Sequence, residues 1–199
     1  MRTEPIDEQE IADMAAQWGT PARHHVNLSV GPDFWMPWQE KWHTRRGEVM
    51  FLLPRPGGLL LHRKAHYPPD AWRLLTGGIE LGEPVCDTIA REPLEEVGLA
   101  LPVRRYVALL SCQVESEGRT YPWATHVFLL PFSDAPLQPS HDDEIEETIT
   151  LPLQALPTVA RHLETLPPPW NDWGRFRAVA HYLVAQHLQP EELNQSASE

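Results

Sequence analysis

The segment 77–99, GGIELGEPVCDTIAREPLEEVGL, restricts the fold of this chain more than any other stretch. Pro84 suits the first turn of a helix, where its missing N–H costs nothing, and Gly98 suits the position just past a helix end. Apolar residues recur between them at every fourth position, which predicts one core-facing stripe. The stripe consists of Val85, Ile89, Pro93 and Val97. The segment therefore predicts a Gly-rich loop at 77–83 followed by a helix at 84–97 that packs on a core.

Three carboxylates lie on a face adjacent to that stripe. Glu92, Glu95 and Glu96 have i, i+3 and i+4 spacing, so they are neighbours on the helix surface and repel one another. Arg91 is the only cation nearby in the sequence, which suggests that something else neutralises the cluster. Hard divalent cations, Mg²⁺ foremost, are bound by such oxygens. The simpler interpretation is a solvated acidic helix behind a Gly-rich turn.

The spacing of the whole segment favours the metal-binding interpretation. With about 7% usage at each of seven fixed positions, chance gives this pattern on the order of 10⁻⁸ times per register. The fixed positions are Gly77, Glu83, Arg91, Glu92, Glu95, Glu96 and Gly98. This pattern resembles the Nudix box, here Gly77–Leu99, and the chain resembles Nudix hydrolases.

The resemblance implies an α/β (α+β) fold, specifically an α/β/α sandwich with a mixed β-sheet and the box as loop–helix–loop. It implies a pyrophosphohydrolase that cleaves a nucleoside diphosphate linked to another group X into NMP and phosphorylated X. Carried over by position, Glu92, Glu95 and Glu96 hold the metal, with a further ligand from the Gly77 carbonyl. The expected cofactor is Mg²⁺, with Mn²⁺ as a substitute. The alternative is a nucleotide-binding sensor or regulator of the same fold with little turnover.

The resemblance also assigns the remaining box residues. Arg91 orients a box glutamate and is counted with Glu92 and Glu95 among the catalytic residues. Glu83 supports that arrangement, and Gly78 and Gly98 are structural.

The general base is expected either within the box or on a later acidic loop. HDDEIEE at 141–147 is the natural source, with Glu144 favoured over Asp143, although a solvated charged loop is an equal interpretation. Pro93 departs from the box pattern, which has an aliphatic residue there. A mid-helix Pro removes a hydrogen bond and disfavours helical angles in the residue before it. Glu92 is therefore expected to be displaced relative to Glu95.

Substrate-binding candidates lie outside the box. Arg63 and the adjacent Lys64 stand where a substrate phosphate could be met, and Trp72 either packs under the box or stacks on a base. Tyr121 is a stacking candidate, as are three tryptophans: Trp35, Trp38 and Trp123. The Trp- and Pro-rich stretch 31–46 is interpreted as a loop that covers the core, contacts a second copy in a homodimer, or forms a pocket wall.

Charge and composition restrict the partners. The net charge is −12, with 16 basic and 28 acidic residues. Such a surface repels phosphate backbones and anionic lipid, which argues against bulk nucleic acid and membrane partners and for a small-molecule nucleoside diphosphate derivative. No apolar run approaches the roughly 20 residues that a membrane span needs. We expect a cytoplasmic protein.

The chain is predicted to form one domain with extensions. Residues 1–21 are an N-terminal extension with a helix at 7–18, and 22–189 form the domain, ending in a helix at about 172–188 that Asn171 or Asp172 caps. Residues 190–199 are a flexible tail. The predicted strands are 24–30, 48–53 and 58–63 as a hairpin, 71–76, 103–115, 120–132 and 147–153, with a short helix at 153–165.

Overall fold

Eight strands and five α-helices build the part of the chain that this computed structural model describes, residues 4–138 and 147–194. The helices are α1 (Glu8–Trp18), α2 (Pro32–Thr44), α3 (Val85–Val97), α4 (Leu156–Glu164) and α5 (Asn171–His187). The strands are β1 (Ala22–Ser29), β2 (Arg45–Leu52), β3 (Pro54–Arg55), β4 (Gly58–Arg63), β5 (Arg73–Glu80), β6 (Arg105–Ser116), β7 (Arg119–Leu129) and β8 (Glu147–Leu151).

The strands form one mixed sheet in the order β1-β6-β7-β2-β5-β4-β3, with β8 paired to β4. β1 pairs with β6, and β2 with β7, in parallel, whereas the other pairs are antiparallel. Side chains from α1 and α3 pack on one face, around Phe51 and Phe128, and side chains from α4 and α5 pack on the other, around Leu74 and Leu129. The predicted α/β/α sandwich with a mixed sheet is therefore confirmed.

The prediction of a loop over 31–46 was wrong, because most of this stretch is helix α2. Gly31 caps the helix and Pro32 occupies its first turn, a position that tolerates the missing N–H. Phe34 and Trp38, one turn apart, are buried against Phe176 of α5. Burial of these rings outweighs the weak helix propensity of a Trp- and Pro-rich sequence. The stretch covers the core and also forms part of a cleft wall, the pocket alternative, while the homodimer contact stays a prediction.

Two local predictions around β2 and β5 also need correction. The Gly-rich stretch was expected to be loop from 77, but β5 continues to Glu80 and Gly77 pairs with Val49 of β2. The turn at 56–57 joins β4 to the short β3, whereas the body of β2 pairs with β5 and β7. The apolar runs predicted that strands form here but could not specify their partners.

Helix α3 runs without interruption through Pro93 and ends at Gly98, whose left-handed φ of 73° closes the last turn. Glu92 therefore stays helical, against the expectation that Pro93 would displace it. Pro93 is buried with the predicted apolar stripe. Packing of that stripe on the sheet compensates for the hydrogen bond that proline removes.

Both ends of the described chain pack on the sheet. Ile11 and Met14 of α1 are buried in the core. Residues 190–194, expected to belong to a flexible tail, form a 3₁₀ helix whose Leu193 is buried. α5 begins after Trp170 without a side-chain cap, so the expected cap by Asn171 or Asp172 was wrong. No helix among residues 4–138 and 147–194 is both long and apolar enough to cross a bilayer.

Candidate active site

A single guanidinium organises the carboxylates of α3. Arg91 Nη1 donates to Glu92 Oε1 at 2.8 Å and to Glu95 Oε2 at 2.7 Å. Its Nε and Nη2 each donate to Glu83 at 3.1 Å, and Nη2 also donates to the Gly78 carbonyl at 3.2 Å. Arg91 therefore contacts Glu83, Glu92 and Glu95, three of the four carboxylates at the fixed positions of the box.

Glu92 lies almost buried against the backbone of β5. A Cβ atom at Gly77 would stand 1.8 Å from Glu92 Cδ, so only glycine leaves room for this carboxylate. Burial raises the pKa of Glu92 to about 7 against the opposing effect of Arg91, and the nearby charges of Glu96 and Glu95 add to the rise. Glu92 therefore takes up or releases a proton near neutral pH, and a nearby cation would stabilise its ionised form.

Glu83 fixes the turn between β5 and α3. Its Oε2 accepts the Glu80 N–H at 3.0 Å while the same carboxylate holds Arg91. Burial alone would raise the pKa of Glu83, but hydrogen bonds from Glu80, Thr88 and Arg91 lower it below its usual value. Glu83 therefore stays ionised and ties the turn to the helix.

The donor chemistry of this cluster fits a hard divalent cation. Glu92, Glu95 and Glu96 offer only carboxylate oxygens, which are the ligands that Mg²⁺ prefers, and one oxygen of Glu96 is shielded from solvent. Across residues 4–138 and 147–194, however, no three His, Cys, Asp or Glu side chains already converge on one metal position. The contacts of Arg91 explain this, because they hold Glu92 and Glu95 toward the guanidinium.

The box opens into a cleft of about 600 Å³. Gly77, Gly78, Arg91 and the three α3 glutamates form one end. The remaining wall comes from α2, β2, the loop before β5, β5 itself, β7 and the start of α5 with the loop before it. It contributes five cations (Lys41, Arg45, Lys64, Arg73, Arg177) and a set of aromatic rings (Phe34, Trp38, Tyr67, Trp123, Trp170, Trp173, Phe176).

Positive charge is concentrated in this cleft. Six of the chain's 16 Lys and Arg line it, although the chain carries a net charge of −12. Arg45 packs against the box, since a Cβ at Gly78 would lie 2.3 Å from Arg45 Nε. Arg177 donates to both oxygens of the buried Glu48 at 2.9 Å. A cleft with carboxylates at one end and cations beyond them suits a ligand that carries phosphate groups.

The residues predicted to bind substrate lie in several different parts of the fold. Arg63 pairs with Glu147 at 3.2 Å on the neighbouring strand β8. Trp72 packs against the core beneath the sheet, and Tyr121 stacks on Trp35 with ring centroids 3.8 Å apart. None of Arg63, Trp72 and Tyr121 belongs to the cleft wall formed by the described residues. Their role in substrate binding stays a prediction, whereas Lys64, Trp38 and Trp123 do line the cleft.

The two acids favoured as general base, Glu144 and Asp143, lie outside the described residues. Glu147 of β8 is the first described residue after them, and it pairs with Arg63 on β4. The identity of the base stays a prediction.

Sequence reasoning missed most of the cationic wall. Arg177 of α5 lies far after Lys41 and Arg45 in the sequence, and no local pattern relates it to them. Arg73 carried the one usable signal, because it interrupts the apolar run AWRLLT of a strand. A charge within an otherwise apolar strand is uncommon and indicates a specific polar environment.

Comparison with known proteins gives three similar solved structures. They are a putative Nudix hydrolase from Listeria monocytogenes (16% identity, TM-score 0.48, 74% of this chain and 97% of that one), a MutT Nudix hydrolase from Burkholderia pseudomallei (21%, 0.47, 69% and 95%) and a MutT protein from Methanosarcina mazei Go1 (18%, 0.44, 68% and 93%). No curated protein matches this sequence.

The family assignment comes from the sequence model of the NUDIX domain, which matches residues 43–173. The match covers more than half of the 199-residue chain and contains the whole box, the cleft end of β5 and the start of α5. This chain therefore belongs to the Nudix family and is a hydrolase of phosphoric anhydride bonds.

Proposed function

We propose that this chain is a Mg²⁺-dependent pyrophosphohydrolase of nucleoside diphosphates linked to a second group X. Water attacks a diphosphate phosphorus, the P–O bond of the anhydride breaks, and NMP and phosphorylated X leave. The observation that carries this proposal is the single cleft in which box carboxylates continue into cationic and aromatic walls. Carboxylates suit the metal, cations the phosphates and aromatic rings the base.

The box residues have distinct roles in this proposal. Glu92, Glu95 and Glu96 would hold Mg²⁺, with the Gly77 carbonyl as a further ligand. A bound Mg²⁺ neutralises phosphate charge and lowers the pKa of water. Arg91 keeps Glu92 and Glu95 positioned before metal binds, and Glu83 holds Arg91 in place. Substitution of one of these glutamates should therefore lower kcat more than it lowers substrate affinity.

A substrate panel tests the proposal. ADP-ribose, NADH, dinucleoside polyphosphates, nucleotide sugars and NTPs are incubated with Mg²⁺, Mn²⁺ or EDTA, and the products are separated by chromatography. We expect metal-dependent release of NMP or pyrophosphate from at least one compound. Glu96→Gln should lose about 100-fold or more in kcat, whereas the exposed Asp13→Asn on α1 should not. Turnover that survives EDTA and Glu96→Gln would contradict the proposal.

One observation favours the second candidate, a nucleotide sensor with little turnover. Arg91 already neutralises part of the carboxylate cluster, so metal binding must compete with ion pairs of 2.7–2.8 Å. Tight binding of one panel compound without turnover in any metal would favour the sensor. Replacement of Arg91 by Met would then leave binding in place.

A further inference from the structure

The cleft wall beyond the box carries positive charge in addition to the groups that would contact a diphosphate at the box. Without Arg91 and the α3 glutamates, the lining residues comprise five cations and two acids, Asp33 and Glu48, a formal charge of +3. The whole chain carries −12. Because excess positive charge is unfavourable in a concave, partly desolvated surface, this wall suits an anionic ligand group.

Arg73 is the buried centre of this wall. It is only 3% exposed, and its guanidinium donates to three neutral acceptors. These are Tyr67 Oη at 3.1 Å, the Leu74 carbonyl at 3.1 Å and Thr76 Oγ1 at 2.8 Å. Within residues 4–138 and 147–194, no ion pair joins Arg73 to a carboxylate. Burial alone would raise the pKa of Glu48, but Arg177 and, to a smaller extent, Arg73 lower it, and the Glu48 oxygens are hydrogen-bonded to Arg177 and not to Arg73. A buried cation without a direct ion pair is costly, and the three acceptors hold Arg73 in one orientation.

The pKa values of groups around Arg73 are shifted in the directions that nearby positive charge produces. Lys41 reaches the cleft mouth from α2, and partial burial there lowers its pKa, as does the like charge of Arg177. Burial alone would raise the pKa of Tyr67, yet Arg73, Arg177 and Lys64 together lower it. Arg177 differs from Arg73 because Glu48 neutralises it directly. The single charge of Glu48 is therefore shared by Arg177 and Arg73, and the wall keeps an excess of positive charge.

The anion position at Arg73 differs from the position of the scissile diphosphate at the box. Among residues 4–138 and 147–194, the guanidinium of Arg73 and the box carboxylates share no hydrogen-bond partner. Tyr67, Leu74 and Thr76 hold Arg73, whereas Arg91 holds Glu92 and Glu95. An anion at Arg73 thus occupies a different part of the cleft from a diphosphate at the carboxylates.

We propose that Arg73 and Lys41 bind a phosphate monoester that the substrate carries in addition to its scissile diphosphate. The inference rests on the proposed function and narrows its substrate class to nucleoside diphosphate derivatives with a further phosphate. A phosphate monoester fits because two cations from separate elements, α2 and β5, converge on the subsite, and a dianion can pair with both.

Matched substrate pairs that differ by one phosphate monoester test this subsite. NADPH is compared with NADH, and coenzyme A with dephospho-coenzyme A, by kcat/KM with Mg²⁺. Binding of each compound is measured in parallel by calorimetry without metal. We expect the phosphorylated member of at least one pair to be preferred by more than about tenfold, largely through KM and Kd; tenfold corresponds to about 1.4 kcal/mol.

Variants assign the preference to its residues. Arg73→Met and Lys41→Met should remove the preference, because each should weaken binding of the phosphorylated member more than about tenfold relative to its dephospho partner. Arg161→Met, on the exposed side of α4, is the control and should retain the preference. Lys41 is exposed, so Lys41→Met still tests the subsite if Arg73→Met does not fold.

Three results separate the outcomes. Equal kcat/KM and Kd within both pairs would overturn the proposed subsite. An equal increase in KM for both members in Lys41→Met would also overturn it, because the cations would then serve the scissile diphosphate. Preferential binding of the phosphorylated member without hydrolysis would support the subsite and contradict the proposed hydrolase activity.

Discussion

The contact between Gly77 and Glu92 predicts a large loss of activity from one added methyl group. Gly77 has no positive φ, so Gly77→Ala introduces no backbone strain and acts only through its Cβ. That Cβ would stand 1.8 Å from Glu92 Cδ, whereas ordinary van der Waals contact begins at 3.4 Å. The carboxylate must therefore move by at least 1.6 Å.

This displacement has separable costs for activity and stability. A misplacement of about 1 Å in a catalytic group can cost about 100-fold in rate, so we expect kcat to fall at least that far. Overpacking of a well-packed site costs about 1–3 kcal/mol in the free energy of unfolding. Gly31→Ala is the matched control, because its Cβ would meet only Asp172 Oδ2 at 3.4 Å.

The assay combines kcat on the best panel substrate with urea unfolding of the wild type and both alanine variants. Gly77→Ala should lose activity while remaining folded, and Gly31→Ala should resemble the wild type in both measurements. An activity of Gly77→Ala within about threefold of the wild type, a difference of less than 1 kcal/mol, would refute the argument. It would show that the position of the Glu92 carboxylate does not control turnover.

Two further predictions concern the ionisation of Glu92 and the support of α3. The pKa of Glu92 is raised from 4.5 to about 7 in the folded protein, so the native state binds more protons than the unfolded state between those pH values and loses stability as pH rises through them. Between pH 4 and pH 8, the free energy of unfolding of Glu92→Gln should therefore rise by about 3 kcal/mol relative to that of the wild type, as measured by urea unfolding. A difference between the two proteins that does not change with pH would contradict this. Glu10 of α1 accepts the Val85 N–H at 2.6 Å and pairs with buried Arg46 at 2.7 Å, so Glu10→Ala should cost about 1.5–3 kcal/mol in thermal unfolding, whereas Asp13→Asn should cost little. A Glu10→Ala melting temperature equal to that of the wild type would show that α1 does not support the box helix.

The prediction from sequence was most accurate where the evidence was local. The stripe from Val85 to Val97 and the end of α3 at Gly98 follow from helical periodicity and from glycine's access to positive φ. It was least accurate for 31–46, where a Trp- and Pro-rich composition indicated a loop. Burial of Phe34 and Trp38 against α5, a contact invisible in the sequence, stabilises a helix there.

The same distinction applies to the candidate site. The spacing of Glu92, Glu95 and Glu96 placed three carboxylates on one helix turn, and the resemblance gave the family. The sequence suggested that something other than Arg91 neutralises them, yet the fold brings the Arg91 guanidinium to Glu92 and Glu95 as well as to Glu83. Arg91 accomplishes this because α3 packs beside the turn that carries Glu83. Distances between groups separated in sequence decided this point.

The sequence by itself determined the box helix and its acidic face, since both depend on the short-range periodicity of a helix, and the resemblance carried by the box gave the fold class. Tertiary structure alone decided where the cations lie. Lys41, Arg73 and Arg177 come from α2, β5 and α5, and only the packing of these elements brings them to one wall. Electrostatic interactions depend on distance through space, so chain order cannot reveal a cationic cleft in a protein with a net charge of −12.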